Sequence, residues 1–174
     1  LRLDALRQAL ESSFSRGEPI AQPHQGIARL DRGRYQGRTW ATRSRPWVDR
    51  LACVWLIRRF IDARPHFLWL EDPAGSTPAP RHALGFDYDG ARFTHVDARV
   101  SFEVLAISFG LDTDPRLRRI AQAVHVLDVG GIPVPEAIGL EAVLAGLREI
   151  HRDDDQLTLS SDTVFDAMYA SPAK

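Results

Sequence analysis

The segment "PWVDRLACVWLIRRFIDA", residues 46–63, constrains the fold of this chain more than any other. Wound at 3.6 residues per turn, its apolar residues (Trp47, Val48, Leu51, Val54, Trp55, Leu56, Ile57, Phe60 and Ile61) surround the helix axis instead of lining one face. A helix with no solvated side has to run through the middle of a domain, and the rest of the chain must pack around it. Pro46 suits its first turn, where a missing N–H leaves no intrahelical acceptor unpaired. Charges on a buried helix need partners, so Asp49, Arg50, Arg58, Arg59 and Asp62 stand out. The apolar run Leu51–Ile57 is far too short to span a bilayer.

At 174 residues, 44% of them hydrophobic, the chain can bury one sizeable core. Leu3, Leu6, Leu10 and Phe14 have helical spacing, and Gly17 with Pro19 ends that helix. The glycines and prolines of residues 17–37 read as a linker. Residues 1–37 are therefore expected to be an N-terminal helix and linker, and residues 38–174 to form the main domain. "RTWATRSR" and "FLWL" read as strands, and residues 72–81 as a proline-rich loop. "LGFDYDGARFTHV" reads as a hairpin turned at Asp89-Gly90. Ser101 suits a helix cap, Asp114-Pro115 opens the next helix, and Gly130-Gly131 closes it. Pro135 opens a helix to about Ile150, and Asp162 caps a last one to Tyr169. Few strands early and mostly helices late predict an α+β fold: a single, mostly helical domain with a small sheet that includes the hairpin.

Four residues carry the most suggestive chemistry. His95 follows the hairpin, Glu103 opens the next helix, and His125 and Asp128 lie one turn apart in "AVHVLDVGG". Positions three apart share a helix face, so this imidazole and carboxylate can converge on one point. Two imidazoles and two carboxylates suit a divalent iron, manganese or zinc ion, the nitrogens binding and the carboxylates compensating charge. The same residues have plain structural readings. Glu103 fits a helix start by dipole alone, and a histidine among apolar residues is often a packed core group. Asp128 fits least well, because the negative end of the helix dipole repels it. His24, His66, His82 and His151 fall in loops or beside Asp153–Asp155, a run that reads as a solvated helix end.

Arg50 faces the unfavourable end of its own helix dipole. With Arg43 on the preceding strand it can hold an oxyanion at the helix N-terminus, or either arginine can pair with Asp49 or Asp62. Arg43, Asp49, Arg50, Arg58 and Arg59 are thus read as an oxyanion-binding or a structural charge network. Seven arginines lie between Arg29 and Arg50, although arginine makes up every basic residue of the chain except Lys174. The net charge of −1 gives no global attraction to nucleic acid or to an anionic membrane. Nothing resembles a signal peptide or a membrane span, so the expected location is the cytoplasm. Cys53, the only cysteine, is expected to be a buried and inert thiol. There is no glycine-rich phosphate loop, no G-x-S-x-G and no CxxC.

Three stretches, "TWATRSRPWVDRLACVWLIRRFIDA", "FTHVDARVSFEVLAISFGL" and "VHVLDVGGIPVPEAIGLEAVLAGL", resemble the C-terminal domain of the ChrB-like chromate-resistance proteins, from about Arg38 to Tyr169. The resemblance implies a role in chromate or related oxyanion stress, as a regulator acting beside an efflux transporter. It carries over Arg43, Asp49, Arg50, Arg58, Arg59, His95, Glu103, His125 and Asp128 as motif residues. Many relatives have a cysteine where this chain has Val100 and a second aspartate where it has Val126. Any ion would then be held through nitrogen and oxygen.

Three functions fit these residues. A sensor would bind a metal ion through His95, Glu103, His125 and Asp128 and take chromate or another oxyanion on its arginines. A metal-dependent enzyme would use the same ligands with open positions on the ion for redox or hydrolytic chemistry. A structural module would use the polar residues as internal ion pairs and pair as a homodimer. The resemblance implies that residues 1–37 join an N-terminal half that this chain lacks; DNA is expected as a partner only through that half, and a membrane not at all.

Overall fold

The computed structural model describes residues 26–71 and 79–172. The predicted helix at Leu3–Phe14, most of the linker and much of the proline-rich loop lie outside these residues. The sheet has three strands, β1 (Thr39–Arg43), β2 (His66–Leu70) and β3 (Leu84–Gly85), in the order β2-β1-β3. Both pairings are parallel: Thr39 faces His66 and Arg43 faces Leu70 on one side, and Trp40 faces Leu84 on the other. Helix α1 (Val48–Leu56) makes the crossover from β1 to β2. It runs on into a π-helical turn, Ile57–Ile61, which the Asp62 amide closes on the Ile57 carbonyl at 2.9 Å.

Helices α2 (Ser101–Ser108), α3 (Pro115–Val129), α4 (Pro135–Ile150) and α5 (Asp154–Ala170) complete the domain. As its all-round apolar surface demands, α1 is the centre: α2, α3 and α5 all pack on it. Every side chain from Leu51 to Ile57 is fully buried. Trp55 meets the rings of Phe60, Phe165 and Tyr169, while Trp40 meets Tyr35, Phe86 and Phe93. The Asp62 carboxylate ties the end of this central unit to the start of β1. It accepts hydrogen bonds from the amides of Gly37, Arg38 and Arg64 and from the Trp40 indole. Part of the stretch read as linker also lies on the domain. Tyr35 is buried against Trp40, Phe93 and Phe109, and the Leu30 amide bonds the Ser108 carbonyl.

The α+β class stands, with one correction. The predicted hairpin is not formed. β3 pairs in parallel with β1, and beyond it only single bridges join Phe86 to Phe93 and Val96 to Arg99. The turn at Asp89-Gly90 exists, since Ala91 N reaches Tyr88 O at 3.0 Å with Gly90 at φ 81°. Asp87 and Asp97, at φ 54° and 55°, bend both limbs out of extended backbone, so no antiparallel ladder can run between them. The last helix also begins earlier than expected. Asp153 caps it by accepting from Gln156 N at 2.9 Å, and Asp162 sits inside it, facing Arg58. The acidic run is a helix start, where three carboxylates favour the positive end of the dipole. At α2 the cap position falls to Val100, one residue before Ser101.

Candidate functional site

The free amides at the start of α2 build the first part of the site. Val100 offers no side-chain acceptor, so Ser101 N and Phe102 N donate instead to the two oxygens of Asp49, at 2.8 and 2.9 Å. A carboxylate from the first turn of α1 thereby caps a second helix, at the positive end of both dipoles. Asp49 is buried, and so are three further polar side chains around it: Asp87, His95 and Asp128. His95 Nε2 lies 3.3 Å from Asp49 Oδ2, 3.4 Å from Asp87 Oδ1 and 3.3 Å from Asp128 Oδ2. One ring nitrogen carries at most one proton, so three carboxylates cannot all be satisfied by it.

The protein's own groups answer this crowding unevenly. Asp87 receives Arg50 Nε at 2.9 Å and Ser101 Oγ at 2.7 Å. Burial works to raise its pKa, but His95, Arg50 and Ser101 outweigh burial and hold it below the ordinary value. Asp49 is pushed up to about 6, first by burial and then by the charge of Asp87. Asp128 also rises to about 6 through burial, with His95 working against the rise and the other two carboxylates adding to it. Burial pulls His95 down, yet the surrounding carboxylates push it up to about 12. Asp128 Oδ2 is buried without a hydrogen bond. Asp49, His95 and Asp128 each offer a ligand atom, and these atoms lie within 4.8 Å of one another. Among the described residues this is the one cluster with the donors to hold a metal ion.

The expected site residues divide into separate groups. His95 and Asp128 meet in the cluster, together with Asp49, which the sequence placed in the charge network. Glu103 and His125 form their own pair, with His125 Nδ1 at 2.9 Å from Glu103 Oε2. Asp87 was missed: beside Asp89-Gly90 it reads as turn chemistry, and its left-handed backbone is the sign that it has another task. Of the arginines, Arg58 bonds Asp162 and Thr158, and Arg59 clamps Asp166. Both stand at the far end of the central helix from Asp49 and serve as internal ion pairs to α5. Arg50 is held by Asp87, through both its carboxylate and its carbonyl. Arg43, at the carboxyl end of β1, is different, since its Nε is buried with no hydrogen-bond partner. Cys53 is fully buried one turn beyond Asp49, its Sγ 3.7 Å from Asp49 Oδ1. Burial, and then the charges of Asp49 and Asp87, hold its pKa well above the ordinary thiol value, so it is a protonated, unreactive group.

The family model of the ChrB C-terminal domain matches residues 40–171. That span starts within β1 and ends just past α5, taking in Asp49, Asp87, His95 and Asp128. Protein ChrB of Cupriavidus metallidurans is 55% identical over 169 residues, which cover 95% of this chain and 51% of that protein. The chain thus spans about half the length of this curated relative. No solved structure matches it. With a match that runs from β1 through all five α-helices, this chain belongs to the family of ChrB C-terminal domains.

Proposed function

We propose that the domain is a sensory and regulatory module of the cytoplasmic chromate stress response, which holds a divalent metal ion at Asp49, His95 and Asp128 and meets an oxyanion beside it. The observation that carries this reading is Asp128 Oδ2, a buried carboxylate oxygen with no hydrogen bond, 3.3 Å from an imidazole nitrogen that two other carboxylates already share. Asp49, Asp87 and Asp128 outnumber the His95 and Arg50 cations beside them, buried excess negative charge is costly, and a cation is the group that would relieve it. The spacing supports the same reading. Two ligand atoms each about 2.0–2.2 Å from a shared ion stand roughly 3.0–3.5 Å apart at octahedral to tetrahedral angles. Nitrogen and carboxylate donors suit iron, manganese or zinc. When bound, such an ion supplies positive charge at the base of the site.

Support for the oxyanion comes from Arg43. It projects from the carboxyl end of the central strand of a parallel sheet, directly before a helix, the place where such sheets collect ligands. Its buried Nε has no acceptor, and a tetrahedral dianion such as chromate offers oxygens suited to a guanidinium. The regulatory output would pass to a DNA-binding half in longer relatives. Titration calorimetry tests the reading. Chromate added to Mn²⁺- or Zn²⁺-loaded protein should bind, and Arg43→Gln should weaken it about tenfold or more. Absence of chromate binding with or without metal would remove the sensor.

A further inference from the structure

Glu103 and His125 remain outside the buried cluster, yet they carry the same chemistry. Glu103 Oε2 accepts from Val100 N at 3.0 Å, which fixes the carboxylate against the start of α2. It also faces His125 Nδ1 at 2.9 Å, close to the separation of two donor atoms on one ion when the ring proton is on Nε2. The side chains of His125 and Glu103 are 30% and 26% exposed, whereas those of Asp49, Asp87, His95 and Asp128 are between 1% and 5% exposed.

The pair also stands next to the cluster along the same two helices. His125 precedes Asp128 by one turn of α3, a separation of roughly 5–6 Å between Cβ atoms. Glu103 lies two residues after Ser101, whose amide holds Asp49. A hydrated cation reaching a buried donor set has to lose its waters, and a half-exposed carboxylate and imidazole can replace some of them before the buried ligands do.

We propose that Glu103 and His125 are a loading pair, an outer cation site through which a divalent ion passes to and from Asp49, His95 and Asp128. This rests on the reading that those three residues hold an ion. Only ligands exchange, a water leaving for each protein donor gained.

The test is stopped-flow uptake of Zn²⁺ by the metal-free chain and its chelator-driven release, in native protein, His125→Gln and Glu103→Gln. Circular dichroism confirms that each variant is folded. Both variants should still take up one equivalent, with uptake and release each slowed at least tenfold. Unchanged rates in both variants would overturn the loading pair, as would loss of the bound equivalent in His125→Gln, which would make His125 a permanent ligand. Failure of the native chain to take up Zn²⁺, Mn²⁺ or Fe²⁺ would instead refute the underlying metal site, a result separable from the first two.

Discussion

Asp49 serves two structural demands that conflict. It satisfies the amides of Ser101 and Phe102, and it crowds Asp87 and Asp128. Replacing it by alanine leaves two buried donors without an acceptor, so Asp49→Ala should cost roughly 2–4 kcal/mol in chemical denaturation. Asp128 shares the one His95 nitrogen with two other carboxylates, and the opposite sign is expected. Asp128→Asn should stabilise the metal-free chain by roughly 1–3 kcal/mol, because it removes a buried charge, while destroying ion binding. Equal destabilisation by both changes would mean that the cluster is a satisfied ion-pair network. At this scale the sequence was partly readable. His95 and Asp128 could be picked out because an imidazole and a carboxylate break apolar surroundings. Asp49 could not be assigned to them, because its partner amides lie 52 and 53 residues away along the chain. Asp87 was hidden by its neighbours, which spell a turn.

Helix α1 was the most legible element, since nothing but burial on every side explains its composition. Trp55 is at its centre, fully buried, with its indole donating to Asp166 at 2.8 Å. Trp55→Ala should therefore cost about 3–5 kcal/mol, read as a shift in the denaturation midpoint. Ile138→Ala, on the exposed side of α4, should change stability by less than about 0.5 kcal/mol. Helix α3 offers a pH test away from the cluster. Asp114 caps it, accepting Arg116 N at 2.8 Å and the Tyr169 hydroxyl at 2.7 Å. Burial favours a higher pKa, but the Arg116 guanidinium, Tyr169 and the Arg116 amide prevail and hold the carboxyl at about 2. A depressed folded-state pKa gives stability that is complete above the ordinary carboxylate range and fades as pH falls toward 2. Asp114→Ala should cost about 1 kcal/mol near neutral pH and less at pH 2, measured by urea unfolding at both. The hairpin was the element misread. The Asp-Gly signal did mark a turn, but the strand before it was claimed by β1 in parallel pairing, a long-range preference that local patterning does not encode.

Across the molecule, the parallel sheet and the central helix explain why residues far apart in sequence meet. β1 leads directly into α1, so Asp49 enters the core just past the carboxyl end of the sheet. β3 brings Asp87 to the same end, and α3 lays Asp128 beside them from the other side of α1. The arginines follow a different plan. Arg58 and Arg59 lock the central helix to α5, Arg50 steadies Asp87, and Arg43 alone among the four expected arginines has a buried Nε without an acceptor.

The central claim is that Asp49, His95 and Asp128 hold an ion. Elemental analysis of the untagged chain, purified beside Asp128→Asn and His95→Ala, tests it most directly. About one equivalent of iron, manganese or zinc is expected in the native protein and none in either variant. Native protein that is empty, and stays empty after incubation with each of these metals, would contradict it.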